Sequence, residues 1–289
     1  MVVTPRLVAF DMDGTLLNKD SQMTRATREA CLALREQGCK LVLSTGRSYD
    51  AALLPIDSFP FDGYVCSNGA LVLEADGTLV QKTLLPTYMV ERAIRLLRQK
   101  GLYYELHDSA SNRWMVEEDR PVVEKMLAQD TDEKHILFRR YVFSQLARHI
   151  PLQELLGRMH AQQVEMVKIF IWHTKPELLE EVREKLAEAW CEVVEITSSG
   201  RHNVEVLPLH VSKWEGLRYF CEKWGIGAEQ VMVFGDADND REALSHAGYA
   251  VVMANASPEI LELADFVAPH HHEEGVARFL RQYVIGNGS

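Results

Sequence analysis

The chain is short of three things: paired cysteines, positive charge and long apolar runs. Its five cysteines, Cys31, Cys39, Cys66, Cys191 and Cys221, are odd in number, and no two stand in C-x-x-C spacing. That argues against a disulfide framework and against a C-x-x-C redox or zinc motif. With no signal-peptide pattern at its start, the chain reads as a cytoplasmic protein with reduced thiols. Lysine and arginine number 31 against 42 acidic residues, a formal net charge of −11. A nucleic-acid surface needs a basic stripe, so nucleic acid is not an expected partner. No apolar run approaches the ~20 residues of a membrane span, so no membrane is expected either. Internal repeats and low-complexity segments are absent as well.

What remains is ordinary globular composition, 289 residues with 47% apolar and 25% charged side chains, enough for one large or two modest domains. An acidic balance does not exclude an anionic substrate, because a bound cation reverses the local sign. Oligomeric state is open between a monomer and a small homo-oligomer.

The chain is organised around Leu7-Val8-Ala9-Phe10-Asp11-Met12-Asp13-Gly14-Thr15. Leu7 to Phe10 form a short apolar run, the signature of a buried parallel strand. The run ends in two carboxylates one residue apart, followed by turn residues. In open α/β sheets, chemistry gathers at the carboxyl ends of strands. Two acids on such a bend can share a divalent cation and leave one oxygen free to attack. A lone D-x-D reads as an acidic turn; D-x-D-G-T behind a hydrophobic strand is more specific.

Further along, Thr24 to Gln37 carries helical apolar spacing closed by Gly38. Lys40 to Ser44 is a strand leading into Thr45-Gly46-Arg47, and Tyr64 to Ser67 is a strand leading into Asn68-Gly69. Strand, helix, strand implies a right-handed crossover, which puts these polar tips at one sheet edge. A hairpin turning at Asp76-Gly77 follows. Near Pro86 the pattern changes. Two long helices and hairpin-like strands occupy roughly 85–205, with an amphipathic helix of unclear bounds between Arg120 and Met159. That mixture predicts a separate α+β unit inserted into the first domain. Alternation of strand and helix then resumes, with a capping box at Ser212-x-x-Glu215. A strand from Val231 to Phe234 ends in Gly235-Asp236-Ala237-Asp238-Asn239-Asp240. The expected class is α/β: a doubly wound parallel sheet from residues 1–84 and 206–289, with an inserted α+β domain at 85–205.

Four elements thus end in reactive residues: Asp11/Asp13, Thr45, Lys213 and Asp236/Asn239/Asp240. Each has a plain reading as a turn, a surface lysine or a helix cap. Lys213 is the least plain. A helix start is already partially positive and disfavours a cation, so a lysine there suggests an anion bound by both.

This combination resembles the haloacid dehalogenase-like hydrolases, of which D-x-D-G-T, S-T-G-R, V-S-K and G-D-x-x-N-D are similar to motifs one to four. The insertion between motifs two and three is similar in position to the substrate-covering cap of the Cof-type, class IIB, subfamily. Asn68-Gly69-Ala70, Met253-x-Asn255-Ala256, Ala264-Asp265 and Glu274-Gly275-Val276 match further. The resemblance implies a Rossmann-like core and a phosphatase of small phosphorylated metabolites, sugar phosphates first. It implies Asp11 as nucleophile forming an aspartyl-phosphate, and Asp13 as general acid and then base. Mg²⁺ would be held by Asp11, Asp236 and, mainly through its backbone carbonyl, Asp13; oxygen donors suit that ion. Thr45, Gly46, Lys213 and Asn239 would hold the phosphoryl group, with Met12, Arg47 and Asn68 also placed for substrate or phosphate binding. Asp240 would orient Lys213 from behind. Phosphomutase or phosphotransferase activity through the same aspartate, and an FMN or pyridoxal phosphate phosphatase, are the alternatives. A receiver-like signalling module is typically shorter and lacks the insertion. Two departures stand out: Trp214 where the family usually has glycine, and Arg241 where an apolar residue is common.

Other residues invite a role. His270-His271-His272 falls in an expected loop and reads as solvated rather than as a metal cluster. Trp114, Trp172 and His173 lie on strands of the insertion, either as core or as a substrate-facing surface. Arg201, His202 and Asn203 sit where the insertion returns, as a turn or as specificity residues.

Overall fold

The computed structural model describes residues 3–129, 133–190 and 192–285. The chain divides into two compact units, Met1–Lys82 with Val211–Ser289, and Thr83–His210. Residues 130–132, inside the stretch of unclear helix bounds, and Cys191, expected to open a strand, lie outside the described residues.

The first unit is built on eight strands: β1 (Leu7–Phe10), β2 (Lys40–Ser44), β3 (Gly63–Cys66), β4 (Leu71–Glu74) and β5 (Leu79–Lys82), and, after the insertion, β12 (Val231–Gly235), β13 (Tyr249–Met253) and β14 (Phe266–Ala268). Their order is β14-β13-β12-β1-β2-β3-β4-β5. The six from β14 to β3 are parallel, and β4 and β5 add an antiparallel meander. Gly77, at φ +84°, turns the last hairpin. The central parallel strands β1 and β12 are buried and apolar at every position rather than alternating because both faces are covered. On one face Leu7, Ala9, Val231 and Val233 pack against Leu217 and Phe220 of the helix Lys213–Trp224. On the other, Phe10 stacks on Phe234 at 5.2 Å, and Phe234 meets Phe279 of the helix Gly275–Leu280 edge-on at 5.4 Å. Burying each such aromatic contributes roughly 1.5–3 kcal/mol.

Register then positions the chemistry. Phe10 is level with Phe234 on one side and Leu43 on the other. One step further, Asp11 leaves the sheet at the edge where Gly235 and Ser44 are the last residues of β12 and β2. The chain runs from β1 to β2 on one side and later fills β12, β13 and β14 on the other. The connections therefore diverge beside β1, which opens the crevice where open α/β sheets bind ligands.

Among its described residues the second unit carries six strands, β6 (Tyr103–Asp108), β7 (Arg113–Val116), β8 (Ala147–Ile150), β9 (Met166–Trp172), β10 (Val194–Thr197) and β11 (Asn203–Pro208). Their order is β10-β11-β9-β6-β7-β8, antiparallel except where β7 meets β8. One face buries Leu106, Ile169, Ile171, Val204 and Val206 under Val90, Ile94 and Leu97 of the helix Thr87–Lys100 and Leu179, Val182 and Leu186 of the helix Pro176–Trp190. On the other, Tyr103, Phe170 and Trp172 meet Val123, Leu127, Ile136 and Phe143. Strand β8 was not expected: Ala-Arg-His-Ile offers no apolar alternation, and only its pairing with β7 makes it a strand. Strand β11 lies wholly in this unit, hydrogen-bonded to β9 and β10, and runs past residue 205.

Candidate active site

The loop after β1 does the first positioning. Asp11 is extended, and Met12–Leu16 form a wide turn in which Leu17 N donates to Met12 O at 3.0 Å. Gly14 takes φ +83°, and a Cβ there would lie 2.2 Å from Asp236 Oδ2. Only glycine allows both the left-handed backbone and that approach. Thr15 Oγ1 donates to Asp236 Oδ1 at 3.2 Å. The Met12 side chain is buried in the core, so only its backbone is available for the expected phosphate contact.

Lys213 opens its helix behind Ser212, whose Oγ accepts from Glu215 N at 3.2 Å. The Glu215 carboxylate pairs with Arg218 instead of closing the capping box. Gly69, at φ +102°, lets this helix start come close: a Cβ would sit 2.0 Å from Ser212 O. Lys213 is 1% exposed. Its Nζ donates to Asp11 Oδ1 at 2.6 Å and to Asp240 Oδ1 at 2.6 Å. Burial works against the charge, but the two carboxylates outweigh it and hold the ammonium above the usual lysine range.

Asp240 Oδ2 accepts from Asp236 N at 3.0 Å and from Ala237 N at 3.1 Å. Both its oxygens are engaged, so it braces the loop after β12 and fixes Lys213. Asp236 Oδ2 accepts from Asn255 Nδ2 at 3.0 Å, and the same amide donates to Gly14 O at 2.9 Å. Asn255 Oδ1 accepts from His271 N, and His271 Nδ1 lies 2.8 Å from Leu17 O. Asp11, Asp236 and Asp240 bring oxygens within 4.8 Å of one another. Burial first, then carboxylate neighbours, raise both Asp11 and Asp236 above the ordinary aspartate range. Asp11 Oδ2 is buried and has no hydrogen-bond partner among the described residues. Three carboxylates around one ammonium, with an unpartnered oxygen, fit a hard divalent cation. Asp240 already takes the Lys213 ammonium and two backbone amides, whereas each Asp236 oxygen meets a single neutral donor and keeps a lone pair, so Asp11 and Asp236 are the side chains best placed to hold it.

The residues expected on the phosphate side gather at the same edge. Thr45 is buried; its Oγ1 accepts from Arg47 N at 3.1 Å, and its carbonyl accepts from Asn68 N at 3.0 Å. Asn239 Nδ2 donates to Asn68 Oδ1 at 3.1 Å, Asn239 Oδ1 is buried without a partner, and Gly46 lies against both amides. Arg47 does something else. Its Nε and Nη2 fork the Asp13 carboxylate at 2.7 and 2.6 Å, and its Nη1 donates to Ala51 O at 3.2 Å. Asp13, with 54% of its side chain exposed, therefore faces Arg47 and stands outside the carboxylate cluster. Any metal contact by Asp13 falls to its backbone.

Thr15 and Asn255 were not among the expected site residues, although both lie in matched motifs; their signal was position at the ends of β1 and β13. Trp214 stacks on His246 at 5.3 Å and Arg241 pairs with Asp238 at 3.0 Å, so both departures make local packing. His270 stacks on His271 at 4.8 Å, His272 is tilted against both at 4.0–4.6 Å, and the three bring ring nitrogens together, with His270 Nδ1 accepting from His272 N. Trp114 and Trp172 are core residues of the second unit. His173 caps Lys175 N, and Asn203 binds the Ser199 turn.

The sequence model of the family described as haloacid dehalogenase-like hydrolase matches residues 8–280. The 5-amino-6-(5-phospho-D-ribitylamino)uracil phosphatase YitU of Bacillus subtilis is 24% identical over 288 residues, 98% of this chain and 99% of that protein. The HMP-PP phosphatase of Cronobacter sakazakii is 29% identical over 282 residues, 96% of each. Among solved structures, a haloacid dehalogenase-like hydrolase from B. subtilis superposes with a TM-score of 0.82 at 25% identity, covering 96% of this chain and 99% of that one. The subclass IIB sugar phosphatase BT4131 shares the fold, with a TM-score of 0.76 at 22% identity over 94% of this chain and 96% of that one.

Proposed function

We propose that this chain, which belongs to the haloacid dehalogenase-like hydrolases, is a Mg²⁺-dependent phosphatase of small phosphorylated metabolites, sugar phosphates being the leading class. The observation that carries the reading is the buried Asp11: one oxygen on Lys213, the other unpartnered, beside Asp236. Asp11 and Asp236, with the Asp13 carbonyl, would hold Mg²⁺. When bound, the ion supplies charge neutralisation for the transferring phosphoryl group.

Asp11 attacks phosphorus, the bond from phosphorus to the ester oxygen breaks, and the aspartyl-phosphate forms. Asp13 gives its proton to the departing alkoxide. It then takes a proton from the water that attacks phosphorus, which returns Asp11 as carboxylate and releases inorganic phosphate. Lys213, the Thr45 hydroxyl, the Gly46 and Met12 amides and the Asn239 amide hold the phosphoryl oxygens, with Asn68 fixing Asn239. Arg47 orients Asp13. Phosphoryl transfer depends mostly on positioning and electrostatics, which these groups supply.

The inserted unit acts as the cap that selects substrates in this reading. The relative from B. subtilis, by name a 5-amino-6-(5-phospho-D-ribitylamino)uracil phosphatase, favours a second substrate class, phosphorylated heterocyclic metabolites. A panel of sugar phosphates and phosphorylated heterocycles, assayed with Mg²⁺ and with EDTA, tests the proposal. Release of inorganic phosphate only with Mg²⁺ is expected; turnover indifferent to EDTA would refute the metal's part.

A further inference from the structure

Glu105, on β6 in the second unit, is a fully buried acid outside the catalytic set. Its Oε1 accepts from Tyr103 Oη at 2.8 Å and from Arg139 Nη1 at 2.9 Å. Its Oε2 accepts from Arg113 Nη1 at 3.1 Å and lies 3.1 Å from His107 Nε2. Burial first, aided by the nearby Lys168 and Arg113 charges, lowers His107 to about 4, so at neutral pH the ring is an uncharged donor. Burial also opposes the charge on Glu105, but the His107 hydrogen bond and the two guanidiniums outweigh it and keep it ionised. Lys168, cross-strand from His107, is paired with Glu205 at 3.2 Å.

Two features are unusual for a purely structural cluster. First, it holds one positive charge in excess: two guanidiniums against one carboxylate and a neutral imidazole. Second, an arginine facing a carboxylate ordinarily forks it with two N–H groups. Here four donors share two oxygens, so each guanidinium uses a single N–H. Among the described residues neither Arg113 nor Arg139 makes another hydrogen bond. Both are anchored: Arg113 stands on β7 opposite His107, and Arg139 lies 4.3 Å over the Phe170 ring. Their side chains keep 19% and 15% exposure, so neither is sealed from solvent. A buried ion cluster gives little net stability over apolar packing, so stability alone does not account for it.

We propose that Arg113 and Arg139, splayed by Glu105, form an oxyanion-binding site of the second unit that takes a carboxylate or phosphate group of a small molecule. Glu105 is the hub that holds both guanidiniums in place; their unused edges make the site. The proposal goes beyond the phosphatase reading and does not depend on it.

Isothermal titration of the full, EDTA-treated chain with inorganic phosphate, and separately with malonate, tests it. A phosphate site that survives Lys213→Ala and weakens about tenfold or more in Arg113→Gln and in Arg139→Gln is expected, the usual reach of one charged hydrogen-bonding group. Stronger binding of phosphate or of malonate tells which oxyanion the site prefers. Circular dichroism reports folding of every variant, Lys213→Ala included, and only folded variants are titrated; p-nitrophenyl phosphate turnover with Mg²⁺ restored checks the arginine variants alone. Should Arg139→Gln unfold, Arg139→Lys keeps the charge but lacks the planar fork, and weakened binding is again expected. Folded arginine variants with unchanged affinity, or phosphate binding that vanishes entirely with Lys213→Ala, would overturn the proposal. Absence of p-nitrophenyl phosphate turnover in the unsubstituted chain would count against the phosphatase reading and leave the anion site untouched.

Discussion

Lys213 Nζ stands 2.6 Å from Asp11 Oδ1 and 2.6 Å from Asp240 Oδ1, so one buried ammonium ties the end of β1 to the loop after β12. Lys213→Ala removes that tie and leaves carboxylates uncompensated. Breaking a buried pair this way costs about 3–5 kcal/mol. A lower melting temperature and weaker product inhibition by phosphate are expected. Inhibition curves at fixed Mg²⁺ check this, and an unchanged inhibition constant would remove Lys213 from phosphate binding.

Asp11→Asn keeps the shape and removes the nucleophile. Turnover should vanish while the fold persists, because the substitution also relieves an over-negative, buried cluster. Phosphate release and thermal melting, measured together, check both halves. Substantial retained activity would deny Asp11 the nucleophile's role.

Asp13 and Arg47 form a forked pair, and their variants should behave alike. Asp13→Asn is expected to slow alkyl phosphates by about 10²–10⁴-fold, the usual reach of acid–base help, and aryl phosphates less. Arg47→Ala leaves Asp13 in place but unanchored, so the same leaving-group bias should appear in kcat at smaller size. Equal losses on both substrate types would show that the pair acts on something other than the leaving group.

Stability should depend on pH and cation together. Burial, then carboxylate neighbours, push Asp11 up to about 7 and Asp236 up to about 8, from an ordinary 3.8. Through that window the folded chain binds more protons than the unfolded one. The contribution of these two groups to stability therefore falls as pH rises from the ordinary value through the raised ones. A divalent cation competes with those protons, so Mg²⁺ should raise the melting temperature more at about pH 8 than at about pH 5. Equal gains at both would show that the ion does not bind these carboxylates.

Gly14→Ala tests the loop geometry. The left-handed backbone costs a residue with a Cβ about 1–2 kcal/mol, and the added atom would displace Asp236 Oδ2 from 2.2 Å away. More Mg²⁺ should be needed for half-maximal activity, with the substrate KM less affected. A metal titration of activity reads this directly.

Much of this was legible along the chain. Leu7 to Phe10 and Val231 to Phe234 read as buried strands because a strand covered on both faces is apolar at every position, and the second runs one residue further, to Gly235. Asp11, Thr45, Lys213 and Asp236 stood out because each follows a strand or opens a helix, where side chains reach a sheet edge. Strand β8 did not stand out, since Ala147–Ile150 alternates poorly and is a strand only by virtue of its partner. Nor did the fork between Arg47 and Asp13, 34 residues apart, or the second oxygen of Asp240 taken up by the Asp236 and Ala237 amides. Local sequence determined which segments become strands and which residue types stand at their ends, because periodicity and turn chemistry act over a few neighbours. Which donor meets which acceptor was decided only by the tertiary structure, because distances of 2–3 Å between remote side chains depend on the packing of the whole sheet.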